Sequence, residues 1–230
     1  MSELLSELTL LDNPAWSSLS KSHSKLAEVQ GLARRYPQEV SPFCGIDTQA
    51  EPKAWKDLAQ LIGPDGVAVF FRKKLHLPSN AEVIFGGNGV QMIGAEVEGN
   101  LDNEIVELTH LDVPAMLDLI ARTEPGPFAP RTIELGGYIG FKKEEKLVAM
   151  AGFRMNPPGW REISAVCTDP EYRGKGMAGR LVRTLVARIK EAGEIPFLHA
   201  SASNENAIRL YESMGFVLNQ PMEFAAFKLL

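Results

Sequence analysis

A glycine-bearing turn between a predicted strand and a predicted helix is the part of this sequence best suited to bind a phosphate group. Gly174 and Gly176 flank Lys175, and residues 177–189 have the apolar spacing of an amphipathic helix. Glycine has no Cβ to keep a ligand away from the backbone, and the first N–H groups of a helix have no intrahelical partner. Because these N–H groups lie at the positive end of the helix dipole, they favour an anion.

Residues 174–179 also match G-x-G-x-x-G, the fingerprint of dinucleotide-binding folds. Such a fold places an Asp or Glu for the ribose about 20 residues further on, at the end of the next strand. Here the next predicted strand ends in His199-Ala-Ser201, and too little chain follows for two further strand–helix units. A Walker loop is excluded because no Lys-Ser or Lys-Thr follows the required glycine spacing. A nicotinamide-dependent oxidoreductase therefore stays a distant alternative.

The composition indicates a globular protein with small ligands. A chain of 230 residues with 45% hydrophobic composition can bury a substantial core, and its net charge of -5 disfavours a nucleic-acid partner. The acidic first residues and the lack of a long apolar run predict a cytoplasmic protein with no membrane partner. Cys44 and Cys167 lie outside any metal-binding spacing, so we expect two buried thiols and no metal site.

Turn signals divide the chain near residue 104 into two predicted domains. Residues 1–104 form a mixed α/β domain of open role, with a short helix carrying Leu4 and Leu5, a long helix over residues 14–35 and a hairpin around residues 86–89. Residues 105–230 form the second domain, in which helices over residues 112–122, 177–189 and 204–214 alternate with strands.

Two sequence blocks in the second domain resemble the GCN5-related N-acetyltransferases (GNAT family), and more closely their FR47-like branch. The family's cofactor pattern Q/R-x-x-G-x-G/A stands here as Arg173 to Ala178, and its block N-x-x-A-x-x-L-Y-x-x-x-G-F stands as Asn204 to Phe216. Both blocks are intact and in order, with a strand between them. The resemblance implies the GNAT fold, an α/β (α+β) fold with a mixed, mostly antiparallel central sheet flanked by helices, and acetyl-CoA (coenzyme A) as the cofactor.

The resemblance also implies how the cofactor is held. Backbone N–H groups of the turn would bind the pyrophosphate, and the edge of the preceding strand would pair with the pantetheine arm. Asn204 would reach the pantetheine region, although helix capping explains this residue equally well. The cofactor-binding residues expected are Val166, Cys167, Thr168, Arg173, Gly174, Lys175, Gly176, Met177, Ala178, Asn204, Ala207 and Tyr211.

Three residues are expected to take part in proton transfer. By resemblance, Tyr211 is the general acid that protonates the departing thiolate, and its helical spacing also suits a core aromatic residue. A protonated amine must lose a proton, and the candidate bases are His199 and Glu162. A packed strand histidine and a surface glutamate are the alternatives for these two residues.

The expected function is transfer of an acetyl (acyl) group from acetyl-CoA to a primary amine, which attacks directly in a ternary complex. The acceptor is a small-molecule amine, an amino acid or a protein N-terminus, selected by residues 121–134 and 217–222. A homodimer stays open. The alternative is a non-catalytic acyl-CoA-binding regulatory module, in which the phosphate turn is kept and the acceptor site is lost.

Overall fold

A computed structural model describes residues 8–230 of the chain. The predicted helix positions Leu4 and Leu5 lie outside the described residues. No helix within residues 8–230 is long and apolar enough to cross a membrane.

Eleven strands form two sheets in the described part of the chain. Three short strands make a small sheet: β1 (Glu28–Gln30), β2 (Ala33–Arg35) and β3 (Cys44–Ile46). The central sheet contains β4 (Ala68–Arg72), β5 (Ala81–Ile93), β6 (Val106–Glu107), β7 (Ile139–Lys143), β8 (Lys146–Phe153), β9 (Trp160–Thr168), β10 (Ile195–Ser201) and β11 (Val217–Leu229).

The central sheet has the order β4-β11-β5-β10-β9-β8-β7-β6. Its neighbours are antiparallel except for β9 and β10, which are parallel. The prediction of a mixed, mostly antiparallel sheet is therefore confirmed. Strands from both sides of residue 104 belong to this sheet, and the division into two domains there stays a prediction.

Five α-helices lie wholly within residues 8–230: α1 (Pro14–Leu19), α2 (Glu51–Ile62), α3 (Val113–Thr123), α4 (Met177–Glu191) and α5 (Glu205–Met214). Short 3-10 helices lie at Leu10–Asp12, Ser24–Leu26, Thr48–Ala50, His110–Asp112, Thr132–Leu135 and Pro170–Tyr172.

Helix α4 follows the glycine turn and packs on β8, β9 and β10. Its apolar stripe, which includes Leu181, Leu185 and Ile189, is fully buried in the core cluster that also contains Ile163 of β9 and Leu198 of β10. This burial fixes the start of α4 beside the end of β9, where the cofactor was predicted to bind.

Two predictions for the first hundred residues are wrong. The hairpin around residues 86–89 is one continuous strand, β5. The glycines there have extended backbone, and Gly87 leaves room for the ring of Phe224, since a Cβ would lie 2.9 Å from it. The helix predicted over residues 14–35 ends at Leu19, and the rest contains β1 and β2, joined at Gly31 with φ +50°.

The N-terminal elements cover β9 and β10. Leu11, Leu19 and Phe43 share a buried cluster with Trp160 and Phe197 of these strands. Apolar burial thus holds the first part of the chain against the strands that carry the predicted bases.

Candidate functional site

Strands β9 and β10 separate part-way along their length and open a cleft. Among the described strands, they pair only over residues 160–163 of β9 and 195–198 of β10. Ala165 follows with φ +52°, which is uncommon for a residue other than glycine, and the register of β9 against β8 shifts in the same stretch. The edge of β9 beyond Ile163 is therefore left without a partner strand and faces the cleft.

A cavity of about 360 Å³ occupies the cleft. Residues from β9, β10 and α5 meet there, together with Thr123, Glu124 and Pro125 from the end of α3. The structure thus brings to one place eight of the predicted site residues: Val166, Cys167, Thr168, Arg173, His199, Asn204, Ala207 and Tyr211.

The glycine turn forms a separate hollow of about 320 Å³, which shares Thr168 and Arg173 with the cleft. The other predicted residues that line it are Gly174, Gly176, Met177 and Ala178. Both glycines have positive φ, +76° and +73°, and a Cβ on either would meet nothing within 4 Å, so open space lies beside the backbone. Gly176 is the N-cap of α4 and supplies no capping side chain. The first N–H groups of α4 are therefore available to a ligand.

Lys175 is placed differently from its neighbours in the turn. Its ammonium lies 4.6 Å from the centre of the Tyr172 ring, and the side chain lines neither the cleft nor the hollow at the turn. This contact is a cation–π interaction at the surface.

Thr168 carries a buried hydroxyl that is without a hydrogen-bond partner within residues 8–230. The residue lies where the cleft joins the hollow at the turn. A buried polar group without a partner is costly, so an additional hydrogen bond at this position would be stabilising.

Tyr211 lies on α5 with its ring buried against Phe216, at 5.9 Å between centroids. Burial raises its pKa to about 12, so the hydroxyl is protonated at neutral pH. No described residue hydrogen-bonds to this hydroxyl, and the side chain lines the cleft. The phenol is thus a proton donor without a protein acceptor.

Asn204 both caps helix α5 and lines the cleft, which are the two roles considered for it from the sequence. Its Oδ1 accepts a hydrogen bond of 3.1 Å from the backbone N–H of Ala207, which makes it the N-cap of α5. The residue also lines the cleft together with Ala207.

Glu162 is completely buried, not a surface residue. Its carboxylate accepts hydrogen bonds from Arg154 Nε at 2.9 Å and Nη2 at 2.5 Å, from His199 Nδ1 at 2.6 Å and from the Met155 backbone N–H at 3.1 Å. Burial alone would raise its pKa, but the Arg154 guanidinium, followed by His199, outweighs burial and lowers the pKa to about 2. The carboxylate is therefore ionised and fully paired.

His199 uses both ring nitrogens within the protein. Its Nδ1–H donates to Glu162, and its Nε2 accepts a 2.9 Å bond from the Gln91 side-chain amide. The Gln91 amide cannot easily reverse, because its oxygen accepts from Asn219 Nδ2 at 2.7 Å and Gln220 Nε2 at 3.2 Å. A proton on Nε2 would face the Gln91 N–H group. Burial, the largest cause, lowers the pKa of His199. The Gln91 N–H group beside Nε2 also disfavours a second proton on the ring.

The sequence reasoning did not single out Arg154, Gln91 or Glu124. Arg154 and Gln91 complete the Glu162 and His199 pairing, and Glu124 is the carboxylate that lines the cleft itself. No motif or spacing in the sequence marks Arg154 or Gln91. Arg154 pairs with Glu162, whose burial the sequence does not reveal, and Gln91 pairs with His199, which is far away in the chain. Glu124 directly precedes the proline-rich run 125–130, which marks a loop at the cleft mouth.

Cys167 is buried, and burial is the largest cause that raises the pKa of its thiol, to about 11. The thiol is therefore protonated and a weak nucleophile. Within residues 8–230, no group of three or more His, Cys, Asp or Glu side chains is suited to hold a metal ion.

Comparison with known proteins places this geometry among acetyltransferases. Residues 138–225 match the family model described as FR47-like protein. The crystal structure of a GNAT-family protein from Novosphingobium aromaticivorans superposes with a TM-score of 0.87 at 39% identity, covering 96% of this chain and 98% of that one.

Two curated relatives match about half of this chain. The N-alpha-acetyltransferase RimI of Mycobacterium tuberculosis is 31% identical over 120 residues, which are 47% of this chain and 75% of RimI. The uncharacterized protein ML0378 of Mycobacterium leprae is 34% identical over 130 residues, which are 50% of this chain and 35% of that protein. The chain thus spans only about a third of the length of the Mycobacterium leprae relative.

Proposed function

Because the chain belongs to the GNAT family, we propose that it is an acyl-CoA-dependent N-acetyltransferase that acts on a primary amine. The observation that carries the proposal is the continuous path from the glycine turn, past Thr168, to the free phenol of Tyr211. Bound acetyl-CoA supplies an activated thioester, and the amine attacks it directly in a ternary complex.

The residues of the cleft fit acetyl-CoA. The open space at Gly174 and Gly176 accepts a pyrophosphate against backbone N–H groups, and the Arg173 side chain adds positive charge beside it. The unpaired edge of β9 beyond Ile163 offers backbone groups to the amides of the pantetheine arm. The Thr168 hydroxyl gains the partner that it lacks in the protein alone.

Tyr211 is the proposed general acid. Its raised pKa keeps the proton on the phenol until a strong base, such as a departing thiolate, accepts it. Since no described residue accepts a hydrogen bond from the phenol, the proton is free to be donated into the cleft.

His199 and Glu162 are better suited to positioning than to accepting a proton. Glu162 has no unpaired oxygen, and the Nε2 lone pair of His199 is taken by Gln91. The pair instead holds β9 and β10 at the point where they separate. We assign proton removal to Glu124, whose exposed carboxylate lines the cleft and takes the proton directly or through water.

The hydrogen bonds that occupy Glu162 and His199 favour one alternative function. A non-catalytic acyl-CoA-binding module needs no proton acceptor, and both bases predicted from the sequence are internally occupied. The unpartnered phenol of Tyr211 argues for the enzyme, because a module has no use for a free proton donor in its cleft.

Turnover on a mixed panel of amines tests the proposal. Purified protein is incubated with acetyl-CoA and the products are identified by mass spectrometry. We expect acetylated amine and free coenzyme A in equal amounts, and Glu124→Gln should lower kcat at pH 7 by about 10²-fold with little change in acetyl-CoA affinity. Tight acetyl-CoA binding without any acetylated product would support the module instead, and a Glu124→Gln variant with wild-type kcat would remove that residue from the mechanism.

A further inference from the structure

A second cavity of about 500 Å³ opens from the cleft. Pro125, Arg154, His199, Ala200 and Ser201 line both cavities and therefore form their junction. An amine that attacks a thioester in the cleft would lie at this junction, with the rest of the acceptor in the second cavity. The volume is within the range typical of small-molecule sites.

Aromatic side chains from separate parts of the chain line the second cavity. Phe43 comes from the segment before β3, Phe71 from β4, Phe85 from β5 and Phe224 from β11. The Phe71 and Phe224 rings stack at 6.1 Å between centroids. Phe85 is 57% exposed, although a large apolar side chain gains by burial. An apolar group in the cavity would cover these rings.

Arg154 supplies the charged group of this lining, which contains no carboxylate among the described residues. Its Nε and Nη2 are bound to Glu162, whereas Nη1 makes no hydrogen bond within residues 8–230, and the side chain is 16% exposed. A free guanidinium N–H group at the junction suits a carboxylate oxygen as an additional hydrogen-bond acceptor.

From this lining we infer that the acceptor is a free α-amino acid with an aromatic or branched apolar side chain. The inference rests on the proposed acetyltransferase function. The side chain lies among the four phenylalanines, and the α-carboxylate binds Arg154 Nη1. Because the α-amine is two bonds from the carboxylate carbon, this binding holds the nucleophile at the junction. The ammonium first loses one proton to the Glu124 carboxylate. The amine nitrogen then forms the new bond to the acyl carbon as the carbon–sulfur bond breaks, and the thiolate takes a proton from Tyr211. The nitrogen loses its second proton as the amide forms, and this proton restores the Tyr211 phenol.

Initial rates with acetyl-CoA on a defined set of acceptors test this assignment. Phenylalanine and leucine should have kcat/KM at least about 10-fold above alanine, because the cavity rewards the larger apolar side chain. Lysine should be poorer than leucine, and phenylalaninamide, which lacks the carboxylate, should be at least about 10-fold poorer than phenylalanine.

The outcomes separate this inference from the function on which it rests. Turnover that favours lysine, spermidine or alanine would overturn the assignment and leave the acetyltransferase standing. Phenylalaninamide acetylated as well as phenylalanine would overturn the role of Arg154 and point to a peptide N-terminus. Absence of turnover on every amine, with acetyl-CoA still bound, would overturn the proposed function and this inference together.

A matched pair of variants on β5 provides a second test. Phe85→Ser removes an exposed ring from the cavity, whereas Val83→Ser changes a residue on the same strand that is 53% exposed and does not line the cavity. We expect the ratio of kcat/KM for phenylalanine over alanine to fall about 10-fold in Phe85→Ser and to keep its wild-type value in Val83→Ser. An unchanged ratio in Phe85→Ser, or equal losses in both variants, would contradict the inference.

Discussion

Replacing Tyr211 with Phe removes the proposed proton donor and little else. The ring is 7% exposed and packs against Phe216, and its hydroxyl has no protein partner that the change would leave unpaired. Stability and acetyl-CoA affinity should therefore stay close to wild type. General acid catalysis is worth about 10²–10⁴-fold, so kcat should fall by that factor, which equals about 2.7–5.4 kcal/mol in the barrier.

The assay measures release of the coenzyme A thiol at saturating acetyl-CoA with the best acceptor, from pH 6 to pH 10. Since burial raises the pKa of Tyr211 to about 12, the wild-type enzyme should lose no rate to ionisation of this group within the assayed range. Tyr138→Phe is the control, because Tyr138 is also buried, at 2% exposed, but does not line the cleft.

Two results would refute this reasoning. A Tyr211→Phe variant that keeps more than half of the wild-type kcat would show that the phenol is not the proton donor. An equal loss in Tyr138→Phe would show that the effect comes from disturbed packing, which thermal unfolding of both variants would reveal independently.

Three further predictions concern stability and cofactor binding. Glu162→Gln should destabilise the fold by about 3–5 kcal/mol in urea unfolding, because it leaves a buried guanidinium without its counter-charge. Since the pKa of Glu162 is lowered from 4.5 to about 2, its contribution is present above about pH 4.5 and is lost as the pH falls through 2; urea midpoints that do not fall with pH in this window would contradict the pairing. Gly176→Val should raise the acetyl-CoA Kd, measured by calorimetry, at least 10-fold, which equals about 1.4 kcal/mol. The control is Gly193→Val, because Gly193 has the same φ of +73° and the same open space. This control should strain the backbone and leave the Kd unchanged. Thr168→Val should leave the melting temperature of the free protein unchanged or raised and increase the acetyl-CoA Kd about 5–10-fold, since it removes a hydroxyl that is unpaired until the cofactor binds; a lower melting temperature with an unchanged Kd would oppose this.

Local sequence predicted well the turn and the helix ends of residues 173–215. The turn at residues 173–178, the apolar stripe of α4, and Asn204 and Gly215 at the two ends of α5 lie where their residue types require. Each of these features depends on neighbours within a few positions, such as a glycine at positive φ or a capping side chain. A sequence pattern can identify such features without knowledge of the rest of the fold.

Predictions failed where distant contacts decide the structure. The glycines at residues 86–89 read as a turn, but the ring of Phe224 fills the space above Gly87 and keeps β5 extended. For Glu162 the sequence offered a candidate base or a surface glutamate, because nothing near it in sequence indicates its burial beside Arg154 and His199. In both cases, contacts between segments far apart in the chain determine the local conformation or burial, and a local sequence pattern cannot reveal them.

The sequence by itself identified the family and predicted the class of cofactor, because the phosphate turn and the tyrosine block are short motifs whose chemistry is local. The proposal for the amine side rests on the tertiary structure alone. The sheet brings Phe43, Phe71, Phe85 and Phe224 to one cavity and leaves one nitrogen of Arg154 free at the junction, although these residues are far apart in sequence. The physical reason is that a cofactor turn is specified by backbone geometry within a few residues, whereas an acceptor cavity is specified by packing across the whole sheet.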